Sequence, residues 1–175
     1  MTPRGPARPE PGQTVETRIV YEFHRCGITH VIYCPDSATR ALRDVVEAEP
    51  GLTLVPVCRE GEALGIATGL MLGGKEPVVV HQSTGLFESG DSIRGLALDL
   101  GLPVLMLIDY RGWRPTSPAT DSAAVFVEPV LRAWGIRYHV LAPGDDPGMI
   151  SRAFAEARER QAPVAILLAG EDGRS

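Results

Sequence analysis

Glu60 and Glu62 stand at the start of a segment, VCREGEALGIATGLMLGG (57–74), whose apolar pattern predicts a helix. A carboxylate in such a place can hold and return a proton during a reaction. It can also have a structural role, because acids in the first turn of a helix interact favourably with its dipole and cap exposed amides. Glu62 lies about 200° around the helix from Glu60. We therefore expect only one of the two, Glu60, to face a ligand.

The helix after Glu60 carries Gly65, Ala67, Thr68 and Gly69 where a surface helix would carry long polar side chains. A glycine in a helix interior costs about 1 kcal/mol relative to alanine. The cost of two such glycines must be compensated by something that packs closely against the helix. Another subunit's helix or a cofactor ring could do so. Close packing on a neighbouring helix of the same chain would explain the pattern equally well.

Other chemistries have weaker support. His81 and Ser83 lie two residues apart at a predicted strand end, where their side chains share a face and could touch. No GxSxG elbow surrounds the serine, so a hydrolase is disfavoured. The chain also lacks a Gly-rich nucleotide-binding turn after its first strand and a GxxxxGK[ST] loop. Arg40, Arg94 and Arg111 lie on or just after the ligand-side loops and predict an anionic substrate.

Composition and charge narrow the classes of function. The chain has 175 residues, of which 44% are hydrophobic and 22% charged, as expected for one globular domain. A net charge of −5 disfavours a nucleic-acid partner, and no apolar run reaches the roughly 20 residues of a membrane span. The three cysteines, Cys26, Cys34 and Cys58, match no zinc signature. We expect a cytoplasmic protein without a membrane partner and without a protein-held metal.

Short, nearly continuous β-branched runs alternate with helical patterns along the chain, which predicts βαβ units and a parallel sheet covered on both faces. The fold class is therefore α/β, a single domain with a six-stranded, mostly parallel sheet. Gly27 is expected to end the first helix, and Asp121 or Ser122 to begin the fifth. We expect a disordered tail at 1–13, the domain at 14–168 and a second tail at 169–175. The predicted strands are 29–34, 52–57, 77–81, 103–109, 137–141 and 163–168, and the predicted helices 14–26, 38–49, 60–73, 89–101, 122–134 and 146–160.

Four of the loops that follow predicted strands carry polar groups poorly suited to simple connectors. In an open parallel sheet, ligands bind beyond the carboxyl ends of the strands. The convergence of these loops at one edge therefore predicts a ligand site. The loops are CPDS (34–37), CREGE (58–62), HQSTG (81–85) and DYRGW (109–113).

Taken in order, these loops and their flanks resemble the pyrimidine-binding half of thiamine-diphosphate enzymes. They are most similar to the sulfopyruvate and phosphonopyruvate decarboxylases, and in particular to the alpha subunit of the two-subunit enzymes. The resemblance covers roughly residues 14–168. It is carried by GITHVIYCPDS, REGEALGIATGLMLGGK, HQSTGLFESGDSIRGL and PVLMLIDYRGW.

The resemblance implies a cofactor, thiamine diphosphate, whose aminopyrimidine sits at a subunit interface beside the small-residue helix. Glu60 matches the activating glutamate, which hydrogen-bonds the ring nitrogen and promotes the imino tautomer. The reaction implied is decarboxylation of a 2-oxoacid, with the cofactor accepting the released electrons. The expected cofactor-binding residues are Glu60, Gln82, Ser83, Thr84 and Gly85. The expected substrate-binding residues are Pro35, Asp36, Ser37, His81 and Arg111.

The family also binds diphosphate and Mg²⁺ through a Gly-Asp-Gly sequence and a later asparagine in a separate domain. This chain has no asparagine and no Gly-Asp-Gly. The expected partner is therefore a diphosphate-binding beta subunit that holds the Mg²⁺, in a hetero-oligomer such as α2β2 or larger. A subunit of a carboligase that uses the same cofactor, or a non-catalytic scaffold subunit, remains an alternative.

The chain departs from the family pattern around the expected substrate. His81, Ser83 and Thr84 replace the commoner Met, Asn and Ser, and Phe87-Glu88 stands where a Gly-Asn pair is frequent. Sulfopyruvate or phosphonopyruvate would suit the resemblance, and the departures leave the choice of 2-oxoacid open.

Overall fold

The structure is a computed structural model that describes residues 12–114, 116–119 and 121–170. Most of the tails predicted at 1–13 and 169–175 lies outside the described residues. The strands are β1 (His30–Tyr33), β2 (Thr53–Pro56), β3 (Pro77–Gln82), β4 (Leu105–Asp109), β5 (Arg137–Leu141) and β6 (Val164–Leu168). The helices are α1 (Val15–Arg25), α2 (Arg40–Glu47), α3 (Glu60–Leu72), α4 (Ser83–Glu88), the short α5 (Gly90–Ser92), α6 (Ser122–Ala133) and α7 (Met149–Arg160); a π-helical segment, Ile93–Leu98, follows α5.

The strands form one sheet in the order β2-β1-β3-β4-β6-β5, and every described strand pair is parallel. The β-branched and aliphatic runs explain this arrangement, because strands covered on both faces need apolar side chains on both. All five residues of β4 are buried, as are five of the six in β3. The predicted α/β fold with six parallel strands is confirmed.

Each face of the sheet has its own core. Alternate strand residues point to opposite faces, so Val79 and Met106 pack beneath α3, α4, the π-helical segment and α6. Val78 and Leu107 pack beneath α1, α2 and α7 on the other face. No helix among the described residues is both long and apolar enough to cross a membrane.

The helix ends follow the expected signals. Gly27 adopts a left-handed φ of +70° just after α1, and its N–H donates to the carbonyl of His24 at 3.0 Å. Asp121 is the N-cap of α6, and its side chain accepts from the N–H of Ala123 at 2.8 Å. Of the two residues proposed for this cap, the aspartate fills it.

The helix predicted at 89–101 differs in the structure. Helix α4 begins at Ser83, directly after β3, and its geometry breaks at Ser89 before α5 and the π-helical segment continue to Leu98. The Ser89 hydroxyl donates to the carbonyl of Gly85 at 2.7 Å, a contact that bends helices. Gly90 lies against the ring of Trp134, where an added Cβ would come within 3.5 Å. A side-chain hydrogen bond and a packing contact with Trp134 therefore coincide with the break.

We predict that Phe23→Ala lowers the free energy of unfolding by about 3–5 kcal/mol, because the side chain is fully buried between α1 and the sheet. Urea denaturation measures the change. Leu72→Ala is the matched control, since Leu72 is 82% exposed and should change stability by no more than about 0.5 kcal/mol. Equal losses in the two variants would contradict the described core.

Candidate active site

The four loops singled out in the sequence lie at the carboxyl ends of β1, β2, β3 and β4, which are adjacent strands in the sheet. Pro35 and Ser37 are exposed after β1, and Glu60 begins α3 after β2. Gln82 ends β3, and Arg111 follows β4. The parallel sheet thus brings residues that are distant in the chain to one edge, where a ligand can reach them.

Glu60 lies directly on Gly85, the third residue of α4. A Cβ added to Gly85 would come within 2.7 Å of Glu60 Cγ and 3.0 Å of its Oε1. Since real Cβ atoms do not approach other atoms so closely, any side chain at position 85 would displace the Glu60 carboxylate. Two of the expected cofactor-binding residues are therefore in contact, and the glycine is what permits it.

The two glutamates of α3 differ in their hydrogen bonding. Glu62 Oε2 accepts from the backbone N–H of Cys58 at 3.2 Å, which caps the start of the helix. Among the residues that the structure describes, none forms a hydrogen bond or ion pair with the Glu60 carboxylate. The capping interpretation therefore applies to Glu62. The Glu60 carboxylate is half-buried and remains available to a ligand.

Glu88, at the end of α4, was not expected to belong to the site. Its Oε2 accepts from the N–H of Gly61 at 2.7 Å, and its Oε1 accepts from Arg59 Nε at 3.0 Å and Nη2 at 2.6 Å. These hydrogen bonds hold the pKa of Glu88 below its usual range. The only signal in the sequence is that an acid replaces the asparagine frequent in the family.

Arg111 lies at the rim of the site beside Gln82 and Thr84. Gln82 Oε1 accepts from Thr84 Oγ1 at 2.8 Å and from Arg111 Nη1 at 3.4 Å. Arg111 Nε also pairs with the Asp121 carboxylate at 2.9 Å. The guanidinium is therefore held near the predicted cofactor-binding segment, with its charge partly offset. Of the three arginines considered, Arg94 instead pairs with two aspartates of its own segment.

Two expected ligand contacts are engaged inside the chain. The fully buried Ser83 hydroxyl donates to the carbonyl of Asp109 at 2.5 Å, which ties the start of α4 to β4. The Asp36 carboxylate accepts from the N–H groups of Ala38 and Thr39 at 2.7 and 2.9 Å, and from the Thr39 hydroxyl at 2.9 Å. In the described structure, both side chains order loops at the edge of the sheet.

His81 is completely buried near the end of β3. Neither of its ring nitrogens has a hydrogen-bond partner within the described part of the chain, so it forms no pair with Ser83 and a Ser–His catalytic pair is absent there. Burial lowers the pKa of His81 from 6.5 to about 4, and the charge of Glu88 opposes the shift only weakly. The imidazole is therefore neutral at physiological pH.

The outer face of α3 is open. Gly65 and Gly69 are exposed, and a Cβ added to either would meet no atom within 4 Å. Ile66 and Leu72 on the same helix are also exposed, whereas Ala63 and Ala67 pack inward on the sheet. No described part of this chain comes close to the two glycines. Packing on a neighbouring helix of the same chain therefore does not explain them.

We predict that His81 destabilises the fold in acid. Its folded pKa of about 4 lies below the unfolded value of 6.5, so unfolding takes up a proton between these two pH values. The free energy of unfolding should fall as pH drops through this window, by up to about 3 kcal/mol from this residue. Urea denaturation from pH 7.5 to 4 should show a shallower dependence in His81→Gln. An NMR titration of the His81 ring with a midpoint near 6.5 would contradict the burial.

No protein-family model matches the chain. The chain is 32% identical over 133 residues to the protein named sulfopyruvate decarboxylase subunit alpha from Methanothermobacter thermautotrophicus, covering 76% of this chain and 75% of the relative. It is 27% identical over 142 residues to the subunit of the same name from Methanocaldococcus jannaschii, covering 80% of this chain and 84% of that one.

Longer proteins contain the same unit. Sulfopyruvate decarboxylase from Methanosarcina acetivorans is 23% identical over 155 residues, which cover 87% of this chain and 39% of that protein. The crystal structure of benzoylformate decarboxylase from Polynucleobacter necessarius superposes with a TM-score of 0.70 at 21% identity, covering 93% of this chain and 31% of that one. This chain thus spans less than a third of that structure, and the likeness supports the fold.

The 32% identity to the Methanothermobacter subunit extends over 76% of this chain and 75% of that subunit. The resemblance inferred from the four loops is therefore confirmed: the chain belongs to the family of sulfopyruvate decarboxylase alpha subunits.

Proposed function

We propose that this chain is the alpha, pyrimidine-binding subunit of a heteromeric thiamine-diphosphate-dependent decarboxylase that acts on an anionic 2-oxoacid such as sulfopyruvate or phosphonopyruvate. The observation that carries the proposal is the Glu60 carboxylate. It stands at the start of α3 at the carboxyl edge of the sheet, rests on Gly85 and is left without a partner by the described residues. Family membership gives this carboxylate its proposed role.

The residues present fit the aminopyrimidine end of the cofactor. Gly85 offers a surface without a side chain beneath Glu60, and Gln82 and Thr84 supply polar groups at the rim. When bound, thiamine diphosphate supplies a ring that accepts the electron pair released as carbon dioxide leaves a 2-oxoacid. The task of Glu60 is to donate a hydrogen bond to the pyrimidine ring nitrogen and to hold and return a proton there.

The diphosphate and Mg²⁺ do not fit this chain alone. Within the described ranges, no group of three or more His, Cys, Asp or Glu side chains is placed to hold a metal ion. The sequence also lacks asparagine and Gly-Asp-Gly. We assign both to a beta subunit in an α2β2 or larger assembly. The alpha-subunit names of the relatives and the greater length of the Methanosarcina protein support a second half of this kind.

The substrate end of the site combines one cation with exposed loop residues. Arg111 lies beside Gln82, pairs with the Asp121 carboxylate and is suited to bind an acidic group of the substrate as well. Pro35 and Ser37 are exposed at the same edge after β1. His81 lies beneath the edge as a buried, neutral imidazole, so it brings no charge to the site.

We predict that Glu60→Gln lowers kcat by roughly 100-fold or more in the assembled complex, because the amide cannot hold and return a proton. The matched control is Glu62→Gln, two residues along the same helix, which keeps an acceptor for the capping hydrogen bond from Cys58 and should change kcat much less. Carbon dioxide release from sulfopyruvate and related 2-oxoacids measures both, with and without thiamine diphosphate. Release that is independent of the cofactor, or full activity in Glu60→Gln, would refute the proposal. Cofactor-dependent joining of two carbonyl compounds without net release would assign the complex to ligation.

We predict opposite effects of Gly65→Leu on stability and on assembly. The site is open within this chain, so removing a helix-interior glycine should stabilise the isolated subunit by about 0.5–1 kcal/mol. If the beta subunit packs on this face, the same side chain should weaken binding of the two subunits at least tenfold. Thermal unfolding and isothermal titration with the beta subunit measure the two effects. Unchanged affinity would exclude this face from the interface.

A further inference from the structure

We propose that Glu88 is a positioning residue for Glu60, which it holds in place by binding both of its neighbours in the chain. This inference rests on the proposed function of Glu60. Glu88 binds Arg59 on one side of Glu60 and Gly61 on the other. Glu60 lies between these two residues in the chain, and its side chain is the one that Glu88 positions. We call these three hydrogen bonds the Glu88 clamp.

The clamp and the Gly85 contact come from the same side of α4. Gly85 and Glu88 are three residues apart, a spacing that places them on one face of a helix. Gly85 packs against the Glu60 side chain. Glu88 binds the backbone N–H of Gly61, the residue after Glu60. Helix α4 therefore fixes Glu60 at two points.

The start of α3 needs an acceptor from elsewhere. Its N-cap is Arg59, whose side chain makes no capping hydrogen bond and has no acceptor to offer. The N–H of Gly61 is one of the first-turn donors that lack a partner within the helix. Glu88 supplies the missing acceptor at 2.7 Å from a position 27 residues further along the chain. A carboxylate is favoured there by the helix dipole.

A glycine at position 61 leaves room for the Glu88 carboxylate. A Cβ on Gly61 would lie 3.3 Å from Glu88 Oε2 and 3.2 Å from the Ser92 hydroxyl. Arg59 completes the arrangement, since its guanidinium pairs with the Glu88 carboxylate at 2.6 Å. The N–H of Gly61 and the guanidinium of Arg59 thus both bind the Glu88 carboxylate.

The test is a double-mutant cycle in the assembled complex. Glu88→Ala should lower kcat by about 10- to 100-fold, the scale expected when a reacting group is misplaced by about 1 Å, while KM changes less than about threefold. In the Glu60→Gln background, Glu88→Ala should have no further effect on kcat, because the two residues act as one unit. Glu88→Gln keeps an acceptor for the Gly61 N–H and should recover most of kcat.

A control and a second readout separate this inference from the proposed function. Asp91→Ala removes a neighbouring ion pair with Arg94 on the exposed surface, and it should change kcat less than about twofold. Amide hydrogen exchange of Gly61 in the full chain should be faster in Glu88→Ala than in the wild type, whatever reaction the complex performs.

Unchanged kcat or unchanged Gly61 exchange in Glu88→Ala would overturn the inference, as would a further loss of kcat in the Glu60→Gln background. If Glu88→Ala fails to assemble, Arg59→Ala serves as the second variant. It removes two of the three hydrogen bonds and should lower kcat while leaving KM nearly constant. Full activity in Glu60→Gln would defeat the proposed function, and the exchange experiment would still decide whether the clamp orders the start of α3.

Discussion

A parallel sheet covered by helices on both faces leaves its side chains almost no access to water. The constraint is strictest at β3 and β4, the central strands of this sheet. Polar groups can meet a ligand only beyond the carboxyl ends of such strands. The candidate active site therefore consists of loop residues and first turns of helices. His81, two residues before Ser83 and still within β3, is a polar residue that the covered sheet buries without a partner among the described residues.

Glycines decide how closely the pieces of the site approach one another. Gly85 lets Glu60 lie on α4, and Gly61 lets Glu88 reach the start of α3. Gly65 and Gly69 differ, since nothing in the described chain fills the space beside them. Gly85 and Gly61 thus permit contacts between residues of the site itself. Gly65 and Gly69 leave the outer face of α3 open, at a cost in helix propensity.

Much of the fold could be predicted because it depends on local periodicity. Buried parallel strands are recognisable as short β-branched runs, and the α6 cap at Asp121 depends on one residue type at one position. The start of α4 at Ser83 and the break at Ser89 had no comparable signal in the sequence. Ser, Thr and Gly are weak helix formers, so 83–85 resembled a loop, and the break at Ser89 depends on side-chain contacts within the folded chain.

Part of the local geometry of the candidate site was predictable for the same reason. The placement of Glu60 and Glu62 follows from helix geometry alone, and their different hydrogen bonding agrees with it. Whether Ser83 and Asp36 face a ligand or the chain itself depends on contacts with other parts of the fold. Glu88 and Gly61 are 27 residues apart in the sequence. No local sequence pattern predicts a contact at that separation.

Asp121 links the rim of the site to the scaffold. One of its oxygens caps α6 and the other pairs with Arg111, while its Cβ lies where a side chain on Gly112 would be. Gly112 and Asp121 are thus held side by side. Doubling the length of chain between two such fixed points costs only about 0.6 kcal/mol in closure entropy. The length of chain between these two points can therefore change at little cost in stability, while Arg111 and the start of α6 keep their relative positions.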